Sequence, residues 1–208
     1  ILNIMATKDI GLEFKTDTRF SYCNTNYAML ALIIEKITKL SYEKAMKQII
    51  FEPLGMKNTY VFDYERDKDS AVTSYKGNKV EIGLDYLDAV YGDKNIYSTP
   101  RDLLKFDRAR NTPDFLTPEI ISMVYTPYSN EHKGRKNYGL GIRMVNWETG
   151  QNFYFHNGWW HGNTSSYITL QKEGVTIIAL SNKFTRKTYD VRKLSVLFGD
   201  YPFKLGDE

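Results

Sequence analysis

The chain has 208 residues, enough for one domain or for most of a larger one. Its hydrophobic fraction of 42% includes 16 Tyr, 11 Phe and 3 Trp, which can fill a substantial core and exclude a disordered chain. A net charge of +3 gives no indication of a nucleic-acid partner, one cysteine excludes an internal disulfide, and no stretch approaches the roughly 20 apolar residues of a membrane helix.

The first half of the sequence is predicted to be mainly helical. Residues 25–39 place Tyr27, Leu30 and Ile37 at helical spacing, and neighbouring apolar residues widen that face. We therefore predict a helix that is buried on most sides. A second helix is predicted over residues 41–50, before a proline and a glycine that end it.

A polar, tyrosine-rich stretch separates these helices from the next one. Residues 63–95 are predicted to be irregular. The run 98–102 predicts a helix start, because it combines a cap hydroxyl, a proline in the first turn and an early acid that complements the helix dipole. We expect this helix to turn Leu103, Leu104 and Phe106 inward.

From Tyr138 onward the apolar period changes to two, which predicts strands. Residues 138–144 alternate as one strand would. Three further strands and a closing helix are predicted over residues 151–156, 164–170, 175–181 and 190–198. The last two strands are joined by a short connection that ends in Gly174, a residue suited to a positive φ.

These elements predict an α+β fold, with helices first and then an antiparallel meander covered by a terminal helix. We predict a single domain over residues 1–208. Its mainly helical part extends to about residue 136, and the sheet with the terminal helix occupies about 137–208.

Tyr22-Cys23-Asn24 stands just before the first long predicted helix. A loop that ends at a helix start can hold a phenol and an amide towards a cleft, because the helix fixes both positions. The alternative is that Tyr22 is one of sixteen tyrosines and that Asn24 caps the helix.

His156-Asn157-Gly158 is predicted to end a strand and to lead into Trp159. Gly158 would let a substrate lie against the strand, since it has no Cβ. The charge of His156 would vary across physiological pH. The alternative is a histidine that only closes a hairpin.

Together the two motifs resemble the second and third active-site elements of the penicillin-recognising serine hydrolases, which include class C β-lactamase-like, D-Ala-D-Ala carboxypeptidase-like and esterase members. Three further stretches, 50–56, 92–103 and 175–182, extend the resemblance over nearly the whole chain. The resemblance implies an incomplete β-lactamase/transpeptidase-like fold.

The resemblance also assigns roles to six residues. These are the catalytic groups Tyr22, Asn24 and His156 and the substrate-binding groups Asn157, Gly158 and Trp159. Tyr22 would be the general base, and the backbone N–H of Trp159 would donate to the oxyanion. A phenol with a pKa of about 10 suits the role of base only when nearby cations lower that pKa.

The first element of the family, an upstream Ser-x-x-Lys, is missing from its expected place. Ser41 and Lys44 have its spacing, but they follow Tyr22 and fall where the family has an ordinary helix, so we predict that Ser41 is a cap. The start at Ile1, without an initiator Met, suits a trimmed chain. We expect this chain to lack the nucleophile and the first strands of the sheet.

Two other side chains invite a chemical role. Cys23 is predicted to be a small buried residue that points away from the pocket, and not a thiol nucleophile. His161 follows His156 within a glycine-containing turn that has no cysteine or acid cluster beside it, so we expect no metal site. No cofactor is expected. For Trp159 and Trp160 two roles are open: an aromatic wall beside the ligand, or packing in the core.

The sequence predicts that the intact protein is a serine hydrolase that forms an acyl-enzyme with a D-amino-acid peptide, a β-lactam or a small ester. This chain alone is expected to be inactive. The alternative is a non-catalytic module that binds or senses cell-wall peptides. Expected partners are a small-molecule or peptide substrate, and a second copy or the missing N-terminal segment at an exposed sheet edge. The resemblance implies a periplasmic, cell-envelope or secreted location.

Overall fold

The computed structural model describes residues 7–8, 11–129 and 135–205. In the first part, short strands among the helices pair in two small antiparallel ladders, residues 60–61 with 96–97 and residues 74–75 with 81–82. The elements of this part are, in chain order, helix α1 (Asn24–Thr38), helix α2 (Tyr42–Met46) with a π-helical turn (Lys47–Phe51), strand β1 (Tyr60–Val61), helix α3 (Tyr64–Asp67), strands β2 (Ser74–Tyr75) and β3 (Glu81–Ile82), a 3-10 turn (Tyr86–Ala89), strand β4 (Ile96–Tyr97), and helices α4 (Pro100–Arg110) and α5 (Pro118–Val124).

The second part is a five-stranded antiparallel meander, in which the strands lie side by side in chain order, followed by short helices. Its elements are β5 (Lys136–Tyr138), β6 (Arg143–Asn146), β7 (Asn152–Trp160), β8 (Asn163–Leu170), β9 (Val175–Ser181), helix α6 (Lys187–Asp190) and a 3-10 helix (Val191–Leu197). The predicted α+β fold is confirmed. Within the described ranges, no helix has both the length and the apolar character of a membrane span.

The two faces of the sheet have different covers, because successive side chains of a strand point in opposite directions. On β8, Tyr167 donates to Asp107 of α4, which lies on one face. The next residue, Ile168, is buried on the other face in a cluster with Phe153 and Tyr201, against which Val191 and Val196 of the terminal segment pack. The sheet is thus covered by α4 on one side and by the C-terminal segment on the other.

Helix α4 begins as its sequence predicts but buries a different face. Thr99 accepts a hydrogen bond from the backbone N–H of Asp102, and Pro100 occupies the first turn. The expectation that Leu104 points inward is wrong, because this residue is exposed. The buried residues of the helix are charged: Asp102, Asp107 and Arg110. Apolar spacing could not reveal this, since each of these charges is paired in the fold.

Helix α1 is less buried than its apolar pattern predicts. Its buried residues are Ala28 and Ala31. Leu30, Ile33 and Ile37 are 50%, 49% and 76% exposed. They fall on one side of the helix at spacings of three and four, and we call them the α1 stripe. The prediction of a helix buried on most sides is therefore wrong in the described part of the chain.

Residues 138–144 form a hairpin and not the single strand that was predicted. Strand β5 ends at Tyr138, and β6 returns from Arg143 so that these two residues pair. Gly141 supports the reversal with φ +73°, and Gly139 leaves room for the carbonyl oxygen of Val124, which would lie 2.1 Å from a Cβ. The alternation was correct, but it spans a turn and not one extended segment.

Strand β7 and the closing helix also differ from their predicted bounds. The predicted strand 151–156 continues to Trp160, so the second motif lies within a strand and not at its end. The predicted helix 190–198 is divided into α6 and the 3-10 helix that follows it. The strand 175–181 and its turn at Gly174, with φ +65°, agree with the prediction.

Candidate active site

Tyr22 lies in the loop before α1, and its ring faces the sheet. The ring centroids of Tyr22 and His156 are 6.1 Å apart, and Tyr22 makes an edge contact with Tyr138 at 5.8 Å. Tyr22 is 43% exposed, so solvent reaches its phenol. The structure thus brings Tyr22 of the first motif beside His156 of the second, and we call the surface formed by Tyr22, Tyr138, Arg143, His156 and Gly158 the groove.

Tyr138 joins the two walls of the groove by hydrogen bonds. Its hydroxyl lies 3.0 Å from the hydroxyl of Tyr27 on α1 and 3.1 Å from Nε2 of His156 on β7. The residue is only 4% exposed. The three side chains therefore form a continuous polar chain from the helical part to the sheet.

Arg143 supplies the positive charge of the groove. Its guanidinium lies 5.1 Å from the ring centroid of Tyr22 and 5.6 Å from that of Tyr138, within the range of a cation–π contact. Among the residues that the structure describes, Arg143 has no carboxylate within salt-bridge distance. A cation without a carboxylate partner therefore borders both tyrosine rings.

The groove shifts the pKa values of its titratable groups. Burial raises the pKa of Tyr22, and Arg143 offsets only part of that rise. The phenol of Tyr22 is therefore protonated at neutral pH in this chain. Arg143 alone does not lower its pKa to the range that a general base needs. Burial, followed by Arg143, lowers the pKa of His156 below 6.5. The expectation that this charge varies across physiological pH is corrected: the imidazole is neutral at pH 7.

The second motif divides between the two faces of β7. Cross-strand neighbours share a face, and His156 is paired with Tyr167 while Gly158 is paired with Ser165. Asn157 alternates with them and points to the other face, where its Oδ1 is buried and has no hydrogen-bond partner among the described residues. The structure does not bring the Asn157 side chain to the groove.

Trp159 also lies on the opposite face from His156. Its ring contacts Phe184 at 5.3 Å, and its Nε1 donates to the carbonyl oxygen of His161. The backbone of Trp159 lies in a part of β7 that β6 does not reach, because the pairing of β6 with β7 ends at Arg143 and Phe155. Residues 156–160 pair with β8 alone among the described strands, so one edge of this segment is unpaired.

Gly158 has no room for a side chain beside Ser165 on the neighbouring strand. A Cβ built at this position would lie 2.4 Å from Oγ of Ser165. The carbonyl oxygen of Gly158 accepts a hydrogen bond from the hydroxyl of Tyr189 at 3.1 Å. The absence of a side chain therefore lets β7 and β8 approach at the level of the groove.

The two residues after Tyr22 are exposed. Asn24 is the first residue of α1, so it does not cap the helix, and its side chain is open to solvent. Cys23 is the N-cap residue and a free, exposed cysteine. The prediction that Cys23 is buried is wrong, because a cap position at the start of a helix faces solvent when no segment covers it.

Ser41 has the structural role that was predicted. It is the N-cap of α2, and its Oγ accepts a hydrogen bond from the backbone N–H of Lys44 at 3.4 Å. The Ser-x-x-Lys spacing at this position therefore reflects helix capping.

His161 pairs with an acid from the first part of the chain and not with His156. Its Nε2 lies 2.9 Å from Asp88, which also accepts from Nε1 of Trp160. Ligand atoms of Asp85, Asp88 and His161 lie within 4.8 Å of one another. Because both oxygens of Asp88 already accept hydrogen bonds, we assign the cluster to the docking of the 3-10 turn on β7.

Sequence reasoning missed Tyr27, Tyr138 and Arg143 as members of the site. Tyr27 and Tyr138 were taken as apolar members of a helix face and of a strand. Arg143 was taken as the polar partner in the alternation. The sequence did contain a signal for two of them, because Tyr138 and Arg143 flank two glycines that predict a turn. Side chains at the two ends of such a turn come together.

Comparisons with known proteins show the family of the chain. The family model described as Beta-lactamase matches residues 5–198. Penicillin-binding protein 4* of Bacillus subtilis is 27% identical over 230 residues, which cover 100% of this chain and 51% of that protein. Teichoic acid D-alanine hydrolase of Staphylococcus aureus is 30% identical over 122 residues, which cover 57% of this chain and 31% of that protein.

A solved structure supports the fold. A penicillin binding protein from Bacillus halodurans superposes with a TM-score of 0.81 at 19% identity, covering 94% of this chain and 62% of that one. The chain spans about half the length, or less, of the curated relatives just described. Because the family model covers nearly all of the sequence and the fold is shared, the chain belongs to the β-lactamase family of hydrolases.

Proposed function

We propose that this chain carries the substrate-facing part of a serine hydrolase that opens amides or esters through an acyl-enzyme, and that the nucleophilic serine and its lysine come from a segment outside this chain. The observation that supports this most is the 6.1 Å approach of Tyr22 and His156 across one groove. Gly158 lies on the same face of β7 as His156.

Tyr22 is the proposed base or proton shuttle for the serine hydroxyl. Its pKa is raised by burial in this chain, so the reaction needs a further cation beside it. The lysine of a Ser-x-x-Lys helix would supply that charge. Asn24 is exposed beside Tyr22 and is free to orient the lysine and the substrate amide.

The unpaired edge of β7 is the proposed binding surface for the substrate backbone. Residues 156–160 extend beyond their last pairing with β6, so a peptide can add to this edge as a strand would. The backbone N–H of Trp159 lies in this segment and is the proposed oxyanion donor. The side chain of Asn157 points away, which leaves only its backbone for substrate.

Arg143 favours substrates with a carboxylate close to the reacting bond. His156 is neutral at pH 7, so it is a hydrogen-bonding group there and Arg143 is the charged one. A D-amino-acid peptide or a β-lactam carries such a carboxylate, while a simple ester does not. The names of the Bacillus and Staphylococcus relatives, which refer to penicillin binding and to D-alanine, support the same substrate classes.

Two uncovered surfaces support the contribution of a further segment. The α1 stripe is apolar and open, although its sequence is that of a buried helix. Strand β9, with the sequence VTIIALS, pairs with β8 alone among the described strands, so its outer edge is unpaired. We propose that the segment with the nucleophile covers these surfaces, and that the intact protein acts at the cell envelope.

The test uses the full-length product of the parent gene, purified with all of its upstream sequence. A fluorescent penicillin and a fluorophosphonate probe should each label one serine outside residues 1–208, as located by peptide mass spectrometry. Tyr22→Phe should slow labelling by about 10²- to 10⁴-fold, the range expected for loss of a general base. The matched control is Tyr86→Phe, because Tyr86 is an exposed tyrosine outside the groove.

Two results would contradict or redirect the proposal. Labelling that requires Ser41 would show that the nucleophile lies within this chain and would overturn the proposal. Binding of a D-alanyl peptide without labelling by either probe would favour a non-catalytic binding or sensor module.

A further inference from the structure

Hydrogen bonds link Tyr27, Tyr138 and His156 in one chain of side chains. Its two distances, 3.0 Å and 3.1 Å, are both of hydrogen-bond length. The three residues come from α1, β5 and β7, so the chain is built by tertiary contacts and not by neighbours in sequence. Tyr138 is the central member and makes both bonds with one hydroxyl.

A hydroxyl between two partners donates one proton and accepts another, so the chain has a direction. Nε2 of a neutral histidine either carries the proton or accepts one. Of the two groups, the phenol is the stronger acid and the neutral imidazole is the stronger base, so the Tyr138 hydroxyl is the preferred donor and Nε2, 3.1 Å away, is the preferred acceptor. This places the proton of the neutral ring on Nδ1 and leaves Nε2 as an acceptor.

Groups around the ring keep it neutral. Burial disfavours the imidazolium, and the Arg143 guanidinium, which lies over the Tyr138 ring at 5.6 Å, disfavours it further. Burial also raises the pKa of Tyr138, so its hydroxyl keeps the proton that it donates. The direction is then set: Tyr27 donates to Tyr138, and Tyr138 donates to His156.

We propose that Tyr138 is a positioning residue that holds His156 as its Nδ1–H tautomer and fixes the ring opposite Tyr22. Nε2 is occupied by a donor in this arrangement, so it is not available to take a proton from a nucleophile. His156 then shapes the groove while Tyr22 remains the group that moves the proton. This last consequence depends on the proposed hydrolase function, whereas the tautomer itself does not.

The experiment uses the 208-residue chain with ¹⁵N-labelled histidine. Long-range ¹H–¹⁵N correlation spectra distinguish the protonated ring nitrogen from the unprotonated one. The chain has three histidines, and His132→Gln and His161→Gln variants assign the signals of His156. At pH 7.5 the wild-type chain should show His156 with its proton on Nδ1.

Tyr138→Phe removes the donor to Nε2 and keeps the ring. The ratio of the Nδ1–H to the Nε2–H tautomer should fall roughly fivefold, the size expected for the loss of one neutral hydrogen bond. Tyr27→Phe is the first control, because it leaves the bond between Tyr138 and His156 in place and should leave the ratio unchanged. Tyr154→Phe is the second control, since this buried tyrosine lies on the same face of β7 without a bond to His156.

Two results would overturn the proposal. One is a wild-type His156 with its proton on Nε2, which can be read even when Tyr138→Phe does not fold. The other is a folded Tyr138→Phe chain, verified by circular dichroism, whose tautomer ratio equals that of the wild type. Both readings are independent of turnover, so a failure here is distinguishable from a failure of the proposed hydrolase function.

Discussion

The rings of Tyr22 and His156 lie 6.1 Å apart with their planes inclined by 31°. Tyr22 precedes α1 and His156 lies on β7, so the two rings form part of the contact between the helical part and the sheet. Arg143, the first residue of β6, places its guanidinium 5.1 Å from the centroid of the Tyr22 ring and adds positive charge there. A substitution at Tyr22, His156 or Arg143 should therefore change the pKa values of the other titratable groups at this contact.

The first prediction concerns the titration of His156. Burial and Arg143 both lower its pKa, so an NMR titration should give a midpoint below 6.5. Arg143→Gln removes the nearby positive charge and should move the midpoint upward. Arg108→Gln is the control, because Arg108 is exposed on α4, outside the groove. An unchanged midpoint in Arg143→Gln would show that the guanidinium does not act on the ring.

The same shift predicts how His156 affects stability. The folded imidazole resists protonation, whereas the unfolded one has a pKa of about 6.5. The contribution of His156 is therefore complete above about pH 6.5 and declines as the pH falls towards the lower folded pKa. His156→Gln should reduce the slope of unfolding free energy against pH in that range, as measured by urea denaturation. An equal slope in both proteins would contradict the lowered pKa.

The second prediction concerns the contact between Gly158 and Ser165. Gly158→Ala would place a Cβ 2.4 Å from Oγ of Ser165, and overpacking of this kind costs about 1–3 kcal/mol. Ser165→Ala removes that oxygen, so the double variant should recover most of the loss. Chemical denaturation of the four proteins gives the coupling energy. A double variant that is as unstable as Gly158→Ala would mean that the strand itself, and not Ser165, requires the glycine.

The sequence predicted the fold through features that are local in the chain. The cap at Thr99, the strand 175–181 and the turn at Gly174 depend on neighbouring residues, and all three are present in the structure. The hairpin at 138–144 was missed because an alternating pattern is the same for one strand and for two strands joined at a glycine. The burial of charged residues on α4 was missed because it depends on neutral hydroxyl partners from the sheet, Tyr167 and Thr176 on Asp107 and Thr169 on Arg110, which lie far away in the sequence.

The site shows the same division. The motifs around Tyr22 and His156 could be found because each is contiguous in sequence, and the structure brings both to one groove. Tyr138 and Arg143 have no motif, since their role depends on the pairing of β5 with β6. Asn157 was placed in the site by its neighbours, although strand alternation turns its side chain to the other face.

The third prediction concerns the α1 stripe. Burying a Leu or Ile side chain contributes about 1.5–3 kcal/mol, so an open stripe favours self-association of the isolated chain. Leu30→Lys together with Ile37→Lys should weaken that association by roughly tenfold or more, measured by sedimentation equilibrium. Leu12→Lys is the control, since Leu12 is highly exposed outside the stripe. Equal association of all three proteins would assign it to another surface, such as the edge of β9.

The last prediction concerns Asp107, which fastens α4 to the sheet. Burial opposes ionisation of its carboxyl, but hydrogen bonds from Tyr167, Thr176 and Arg110 outweigh that effect and lower the pKa. Asp107→Asn leaves Arg110 buried without its counter-charge, and breaking a buried pair of this kind costs about 3–5 kcal/mol. Asp114→Asn, at an exposed site, should cost little.

The pH dependence of that cost follows from the direction of the shift. A carboxyl with a lowered folded pKa contributes stability above its unfolded pKa of about 3.9, and the contribution is lost as the pH falls through the folded value. The difference in unfolding free energy between the wild type and Asp107→Asn should thus be constant from about pH 5 to 7 and shrink below about pH 4. A difference that persists undiminished in acid would mean that the hydrogen bonds of Asp107, and not its charge, hold α4 on β8 and β9.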